Sequence, residues 1–358
     1  MQNNPLRLTS LKHFSSKIVD RRYSMAGKVG WLEVAPDIFS IREKSHQFWQ
    51  PSINLYFILF NDASGMIYDA GYAMKRSFND FIVGFVELFK YLKKTGRLRA
   101  DVVFHDVVNL IIVSHEHHDH ASGLPYLRHY FPRAKACASA ATAVLLLHQS
   151  DFLLKPQRGI AMAKEMVLTL IMNLFYRATR VQPSLKIDCV LHDGDMIDAG
   201  VYQFKVLLAS GHAPSQLLLH DEQHGILITS DLILQSISTW LGPPNSTYEG
   251  YRQSMERIAA MNLNVMIPAH GKLIERPRER TLQLLKFRQL REDQIVETCA
   301  NKPQSVGDIA WQTYRQRGIG TYLIARGMVN LVADYLVTQG RLKVIKQGRK
   351  RKYIRVGS

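Results

Sequence analysis

The feature that most constrains this chain is the run Ser114-His115-Glu116-His117-His118-Asp119-His120, placed directly after the apolar stretch Asn109-Leu110-Ile111-Ile112-Val113. A continuous apolar stretch of that kind reads as a strand covered on both faces, so the histidines fall in the loop at a strand's end. Alternate residues of an extended loop point the same way. That puts His115 and His117 on one ion and leaves Asp119 and His120 to face a second nearby. So dense a cluster of imidazole and carboxylate would be costly to bury without metal to satisfy it. Imidazole and carboxylate suit Zn²⁺, and few protein ligands leave positions open for water and substrate. Cysteine has no share in such a site, because Cys137, Cys189 and Cys299 form no CxxC pair. Their odd number and scatter argue against a disulfide framework and for a reducing compartment.

Around this motif the apolar pattern alternates between short strands and helices. Residues 31–42 and 53–60 read as strands bounded by turn formers, and 65–71 as a short strand ending in an Asp-Ala-Gly loop. Residues 78–94 carry Phe78, Phe81, Ile82, Phe85, Leu88, Phe89 and Leu92 on one helical side. A helix is expected from about Ser122 and another over 138–149. Residues 151–180, rich in Met, Leu and Phe, read as a helical insertion able to shape or cover a site, or else as a helix packed in the core. Short strands resume over 190–231, then a helix at 248–261 and a last strand at 265–267. Two such alternating halves suggest an α/β sandwich of two βαβ-like units with helices outside.

Later signals fit the same site. Asp69 ends the early strand, and Gly211-His212-Ala213-Pro214, Thr229-Ser230-Asp231 and Pro268-Ala269-His270-Gly271 follow in order. In register with HxHxDH, these motifs resemble the metallo-β-lactamase-fold hydrolase superfamily across residues 31–275. The resemblance implies an αββα sandwich with His212 on the first metal, His270 on the second, Asp231 bridging both, and Asp69 supporting by hydrogen bonding. It implies two Zn²⁺, with Mn²⁺ or Fe²⁺ as alternatives, a metal-bridging hydroxide as nucleophile, and Asp119 orienting it. Tyr248 and His118 are the candidates for the leaving-group acid. Ser230 stands where the family often has Gly, and Ala269 where Pro-Gly-His is commoner. The run after His212 departs from that of glyoxalase II enzymes, and Asp231 in place of cysteine argues against the true zinc β-lactamases.

The remainder, 276–358, reads as a small basic domain behind a charged, proline-containing joint at 275–280. Helices are expected at 281–298, after Ser305 and over 322–339, then two short strands around a basic turn. Lys286-Phe287-Arg288-Gln289-Leu290-Arg291-Glu292-Asp293-Gln294-Ile295 is similar to the HRxxRExQI run of a subgroup bearing a C-terminal winged helix, which includes the β-lactamase-like protein 2 type. The chain's net charge of +16 is concentrated here, with 19 Lys and Arg against 7 Asp and Glu from residue 271 onward. Such an excess favours polyanions, and Arg349, Lys350, Arg351 and Lys352 would sit at the wing as nucleic-acid contacts. Winged helices also act as packing modules, so a homodimer is an open expectation.

Three functions follow, in descending order. The first is a binuclear metal-dependent hydrolase of a small thioester, lactone or other ester. The second is a metal-dependent ribonuclease or phosphodiesterase whose basic domain holds RNA or another single strand. The third is a nucleic-acid-binding or regulatory protein with a vestigial site. No stretch is long and uncharged enough to span a bilayer. The reading is therefore cytoplasmic, or organellar if the flexible basic tail at 1–30, whose first nineteen residues hold Arg7, Lys12 and Lys17 and no acid, is a presequence.

Overall fold

The computed structural model describes residues 30–46, 51–147, 185–242, 244–317, 319–347 and 350–357. The basic tail up to residue 29 and the expected insertion up to residue 184 lie outside them. A seven-stranded sheet runs in sequence order: β1 (Trp31–Ala35), β2 (Ile38–Glu43), β3 (Ile53–Leu59), β4 (Gly65–Tyr68), β5 (Val108–Ile112), β6 (Lys135–Ser139) and β7 (Cys189–Leu191). It is antiparallel as far as β4 and parallel beyond it. The second sheet has β8 (Met196–Ala199), β9 (Tyr202–Ala209), β10 (Gln216–Asp221), β11 (Ile226–Ser230) and β12 (Val265–Pro268), in the reverse order.

The two-residue period of a strand decides the layering. In β3, Ile53, Leu55, Phe57 and Leu59 face one core while Tyr56 and Ile58 face another. In β10, Leu217 and Leu219 share that second core, and Leu218 points to a third. The shared core lies between the sheets. The first is closed by α1 (Lys75–Lys94) and α3 (Leu124–Tyr130), where Phe85 meets Phe57 edge-on at 5.0 Å between ring centroids. The third is closed by α5 (Tyr248–Ala259), through Tyr251, Met255 and Ile258. The strands are covered on both faces, as their unbroken apolar character requires. This is the expected αββα sandwich.

Beyond β12 come α6 (Pro277–Thr298), α7 (Val306–Tyr314), α8 (Ile319–Thr338) and the antiparallel hairpin β13 (Leu342–Gln347)–β14 (Lys350–Arg355). Ser305 caps α7: its hydroxyl accepts from Asp308 N at 3.2 Å, and the Asp308 carboxylate reaches back to Ser305 N at 3.0 Å. Leu284, Ile295, Ile309, Val329, Leu336 and Tyr353 join the core beneath α5. The C-terminal elements therefore share a core with the αββα sandwich.

Several details differ from the expectations. Residues 31–42 form two strands, because Pro36-Asp37 makes a turn in which Asp37 takes a φ of 61°. The Ala-rich stretch expected as helix from 138 begins as strand β6, and α4 (Ala140–Leu147) starts only at Ala140. Pairing with β5 overrides the local helical preference there. The cysteines differ too: Cys137 and Cys189 are register partners on β6 and β7 and are joined as a disulfide, Cα to Cα 4.7 Å. Their separation of 52 residues hides the pairing from any spacing rule. The expectation of no disulfide is corrected for this pair, while Cys299 is free and buried. Thiol titration of the denatured, unreduced protein should therefore find one free thiol per chain. Cys189→Ser should lower the unfolding free energy by about 2–4 kcal/mol, measured by urea denaturation.

Candidate metal centre

The site forms where strand ends of both sheets meet. At the end of β4, Asp69 adopts a left-handed φ of 69° and is fully buried. Its Oδ1 accepts from Ser114 N at 2.9 Å, pinning the loop after β5, and its Oδ2 accepts from His120 Nδ1 at 2.8 Å. His120 lies on a one-turn helix, α2 (His118–Ala121), and this bond leaves its Nε2 bare and facing inward.

The same device recurs at the other histidines. His212 Nδ1 donates to Trp240 O at 2.8 Å, and His270 Nδ1 donates to Ser52 O at 2.8 Å. His115 Nδ1 is 2.9 Å from Ser114 Oγ. With one ring nitrogen engaged outward, the other is free to bind a metal, which is the usual outer support of an imidazole ligand. His115 Nε2 and His117 Nδ1 then lie 3.0 Å apart, aimed at one point.

The inward atoms fall into overlapping groups close enough to hold an ion: His115 with His117 and His212, Asp119 with His120 and His270, and His115 with His120 and Asp231. Asp231 stands between them. Its Oδ2 is 3.5 Å from His212 Nε2, and its Oδ1 is 3.5 Å from His120 Nε2 and 3.3 Å from His270 Nε2. Asp119 Oδ2 lies 3.3 Å from His270 Nε2. His120 Nε2, His212 Nε2 and Asp231 Oδ1 are buried with no hydrogen-bond partner. Unsatisfied buried donors and acceptors are costly, and a bound cation would satisfy all three. The residues present fit bound metal.

Electrostatics point the same way. Burial, reinforced by the surrounding histidines, holds His115 well below the usual imidazole range, and burial with His212 lowers His117 to about 3. Burial also opposes charge on His120 and His270, but the carboxylates outweigh it. Asp69, Asp119 and Asp231 raise His120, while Asp231 and Asp119 bring His270 to about 9. Burial works against the charge on Asp119 and Asp231 as well, yet the adjacent histidines hold both well below the ordinary carboxylate range.

Two small residues beside the ligands have local explanations. Ser230 sits at a φ of 47°, a conformation suited to Gly, and its hydroxyl is 2.8 Å from Ser114 Oγ. Gly211 is required twice over: its φ is 141°, and a Cβ there would come within 2.6 Å of Tyr251 Cα in α5. That close approach seats His212 against the helix layer.

Of the two proposed acids, His118 is on the rim, its Nδ1 3.9 Å from Asp119 Oδ1 and its ring 5.5 Å from that of Tyr72. Tyr248 is not at the site. It is buried in α5, donates to Glu292 Oε1 at 2.8 Å, and is raised by burial and by that carboxylate. The expectation for Tyr248 is corrected, since its place on α5 turns it toward α6.

The basic turn is only partly described. Arg349 lies outside the described residues, as do the surroundings of the Lys350 side chain, and Lys352 is half-buried. Arg351 pairs with Asp334 and lies over the Tyr353 ring. Arg341 pairs with Glu292 and Asp293, and Arg355 with Glu297.

Residues outside the expected ligand set complete the surroundings: Ser52, Ser114, Thr239, Trp240 and the side-chain pair Asn245–Glu116, bonded at 2.9 Å. Ser52, Thr239 and Trp240 act through main-chain atoms or a small hydroxyl, which leave no pattern in a sequence.

Residues 51–270 match the metallo-beta-lactamase superfamily, and the chain belongs to it. It is 28% identical over 185 residues to the acyl-coenzyme A thioesterase MBLAC2 of Homo sapiens, a match spanning 49% of this chain and 60% of that protein. It is 20% identical over 204 residues to the atrochrysone carboxyl ACP thioesterase of Aspergillus fumigatus, spanning 56% of this chain and 51% of that one. The chain thus matches less than two thirds of the length of either relative. In fold it is similar to a beta-lactamase domain protein from Burkholderia ambifaria, with a TM-score of 0.73 at 21% identity, covering 93% of this chain and 96% of that one.

Replacing Asp69 by Asn should keep the bond to Ser114 N but remove the carboxylate from His120. Metal affinity should fall about 10–100-fold in competition with a chromophoric chelator. Unchanged affinity would show that Asp69 supports only the backbone.

Proposed function

We propose that this protein is a binuclear zinc-dependent thioester hydrolase. The observation that carries the reading is Asp231, whose two oxygens face two groups of inward-pointing imidazoles. His115, His117 and His212 would hold one ion, and Asp119, His120 and His270 the other, with Asp231 shared. Zn²⁺ held by these residues would supply a water of lowered pKa, toward about 7, and a Lewis acid for a carbonyl oxygen.

The chain's own residues supply the rest. Asp119 has one oxygen toward His270 and the other toward His118. It is placed to orient an attacking water and take its proton. A thiolate leaving group needs little acid assistance, because a thiol's pKa is about 8.5. An alkoxide would need a strong acid at the site. With Tyr248 turned away, His118 alone of the two candidates remains, which favours a thioester over an oxygen ester. Two relatives named as thioesterases point to the same bond.

An apolar wall for an acyl group lies in the loop between β11 and α5. Trp240 is 43% exposed and its ring is 6.4 Å from that of His117, while Ile237 is 63% exposed. The Trp240 ring rests on Gly242, where a Cβ would come within 2.1 Å of it. The ribonuclease reading loses support, since Arg351 at the basic turn is already paired with Asp334.

A panel of acyl-coenzyme A thioesters with thiol release as the readout tests the proposal. Asp119→Ala and His120→Ala are each expected to lose at least about 100-fold in kcat/KM, and dialysis against chelator to abolish turnover until Zn²⁺ is restored. Full activity in metal-free protein would sink the mechanism. Cleavage of single-stranded RNA that Asp119→Ala abolishes would replace the thioester by a phosphodiester. A second outcome concerns the wall: Trp240→Ala should raise KM for long-chain thioesters several-fold and leave short-chain ones little changed, in line with lost apolar contact area.

A further inference from the structure

We infer that Arg288 is a positioning residue for the metal centre, holding the His212 imidazole in place through the Thr239–Trp240 main chain. Arg288 lies in the middle of α6, outside the αββα sandwich, and is only 2% exposed. Its Nη2 donates to Thr239 O at 2.7 Å and its Nη1 to the Met328 sulfur on α8 at 3.1 Å, and the guanidinium stacks 5.0 Å from the Tyr251 ring centroid. Among the described residues no carboxylate pairs with it, and its Nε is buried without a partner. A buried cation compensated by a carbonyl, a thioether and a ring face is an expensive way to fill a core. An apolar side chain of similar volume would pack there at lower cost.

What that cation does hold is the segment supporting a site histidine. Thr239 Oγ1 is 3.1 Å from His212 Nδ1, and the next carbonyl, Trp240 O, accepts from the same nitrogen at 2.8 Å. Among the described residues of the segment 231–246, none lies in a helix or strand that would fix it. Arg280, two turns earlier on α6, donates to Leu234 O at 2.9 Å and to Ile237 O at 3.0 Å. Helix α6 therefore grips this segment at three carbonyls, and the last of them is one peptide away from the acceptor that sets the His212 ring. A guanidinium suits the task because its planar fork reaches the carbonyl and the α8 sulfur from two separate nitrogens, a span that a single-nitrogen ammonium lacks.

This gives the α6 motif a role that needs no nucleic acid. Glu292, one turn further on, gathers Tyr248, Arg252 and Arg341 and so locks α6 to α5 and to the segment before β13. The C-terminal elements become a brace for the metal centre.

The inference rests on His212 being a metal ligand and is independent of the substrate. The test compares Arg288→Met and Arg288→Lys with Arg291→Met, a change on the same helix. Arg291 stacks on Tyr314 and donates to Gln294, contacts confined to the C-terminal elements. Zn²⁺ affinity and stoichiometry are read by chromophoric chelator competition, and the stability of the metal-stripped proteins by urea denaturation. Both Arg288 variants are expected to weaken one of two Zn²⁺ ions about 10–100-fold, while Arg291→Met binds both normally whatever its stability. Should Arg288→Met not fold, Arg288→Lys carries the comparison, since it keeps the charge and most of the stem. Normal Zn²⁺ affinity in the Arg288 variants, or an equal loss in Arg291→Met, would overturn the positioning role alone. A parent protein that binds no Zn²⁺ would overturn the metal centre and this inference together.

Discussion

Everything at the centre of this protein depends on one buried carboxylate, that of Asp69. It closes the end of β4, pins the first amide of the histidine loop and orients His120, all from a left-handed backbone position. A charged group at zero exposure survives only if its hydrogen bonds are satisfied. Here the partners that satisfy it are parts of the site. The fold and the candidate metal centre share that interaction, so a change at Asp69 touches both.

A second dependence links the two sheets. The first sheet contributes Asp69 and the histidine loop, and the second contributes His212 after β9 and Asp231 after β11. His270 follows β12 and is tied back to Ser52, just before β3. The inter-sheet core holds these strand ends in register, while Ser114 Oγ and Ser230 Oγ bond directly across the gap. The site is therefore as rigid as the packing between sheets, which suits a centre that must hold several donors within a few ångströms.

The C-terminal quarter shows how the cations of a basic segment are divided. Its basic excess reads as an electrostatic surface for polyanions, but Arg341, Arg351 and Arg355 are spent on acidic side chains of the same elements. Arg280 and Arg288 are spent on main-chain carbonyls near the site. A net charge subtracts anions from cations without saying which cations stand free at the surface. That information exists only once the helices are packed.

The histidine motif, the placement of its ligands at strand ends and the alternation that builds an αββα sandwich were legible in the sequence. Each depends on local spacing: alternate residues in a loop, a two-residue period in strands, an apolar stripe on α1. What tertiary structure alone decided depends on residues distant in the chain. Cys137 meets Cys189 because β6 and β7 pair in parallel register. Tyr248 leaves the site because α5 turns it toward Glu292. Thr239, Trp240 and Ser52 orient imidazoles through carbonyl or hydroxyl oxygens that many residue types could provide. A sequence records side-chain identity and spacing, and contacts made by main-chain atoms across long separations leave no mark in either.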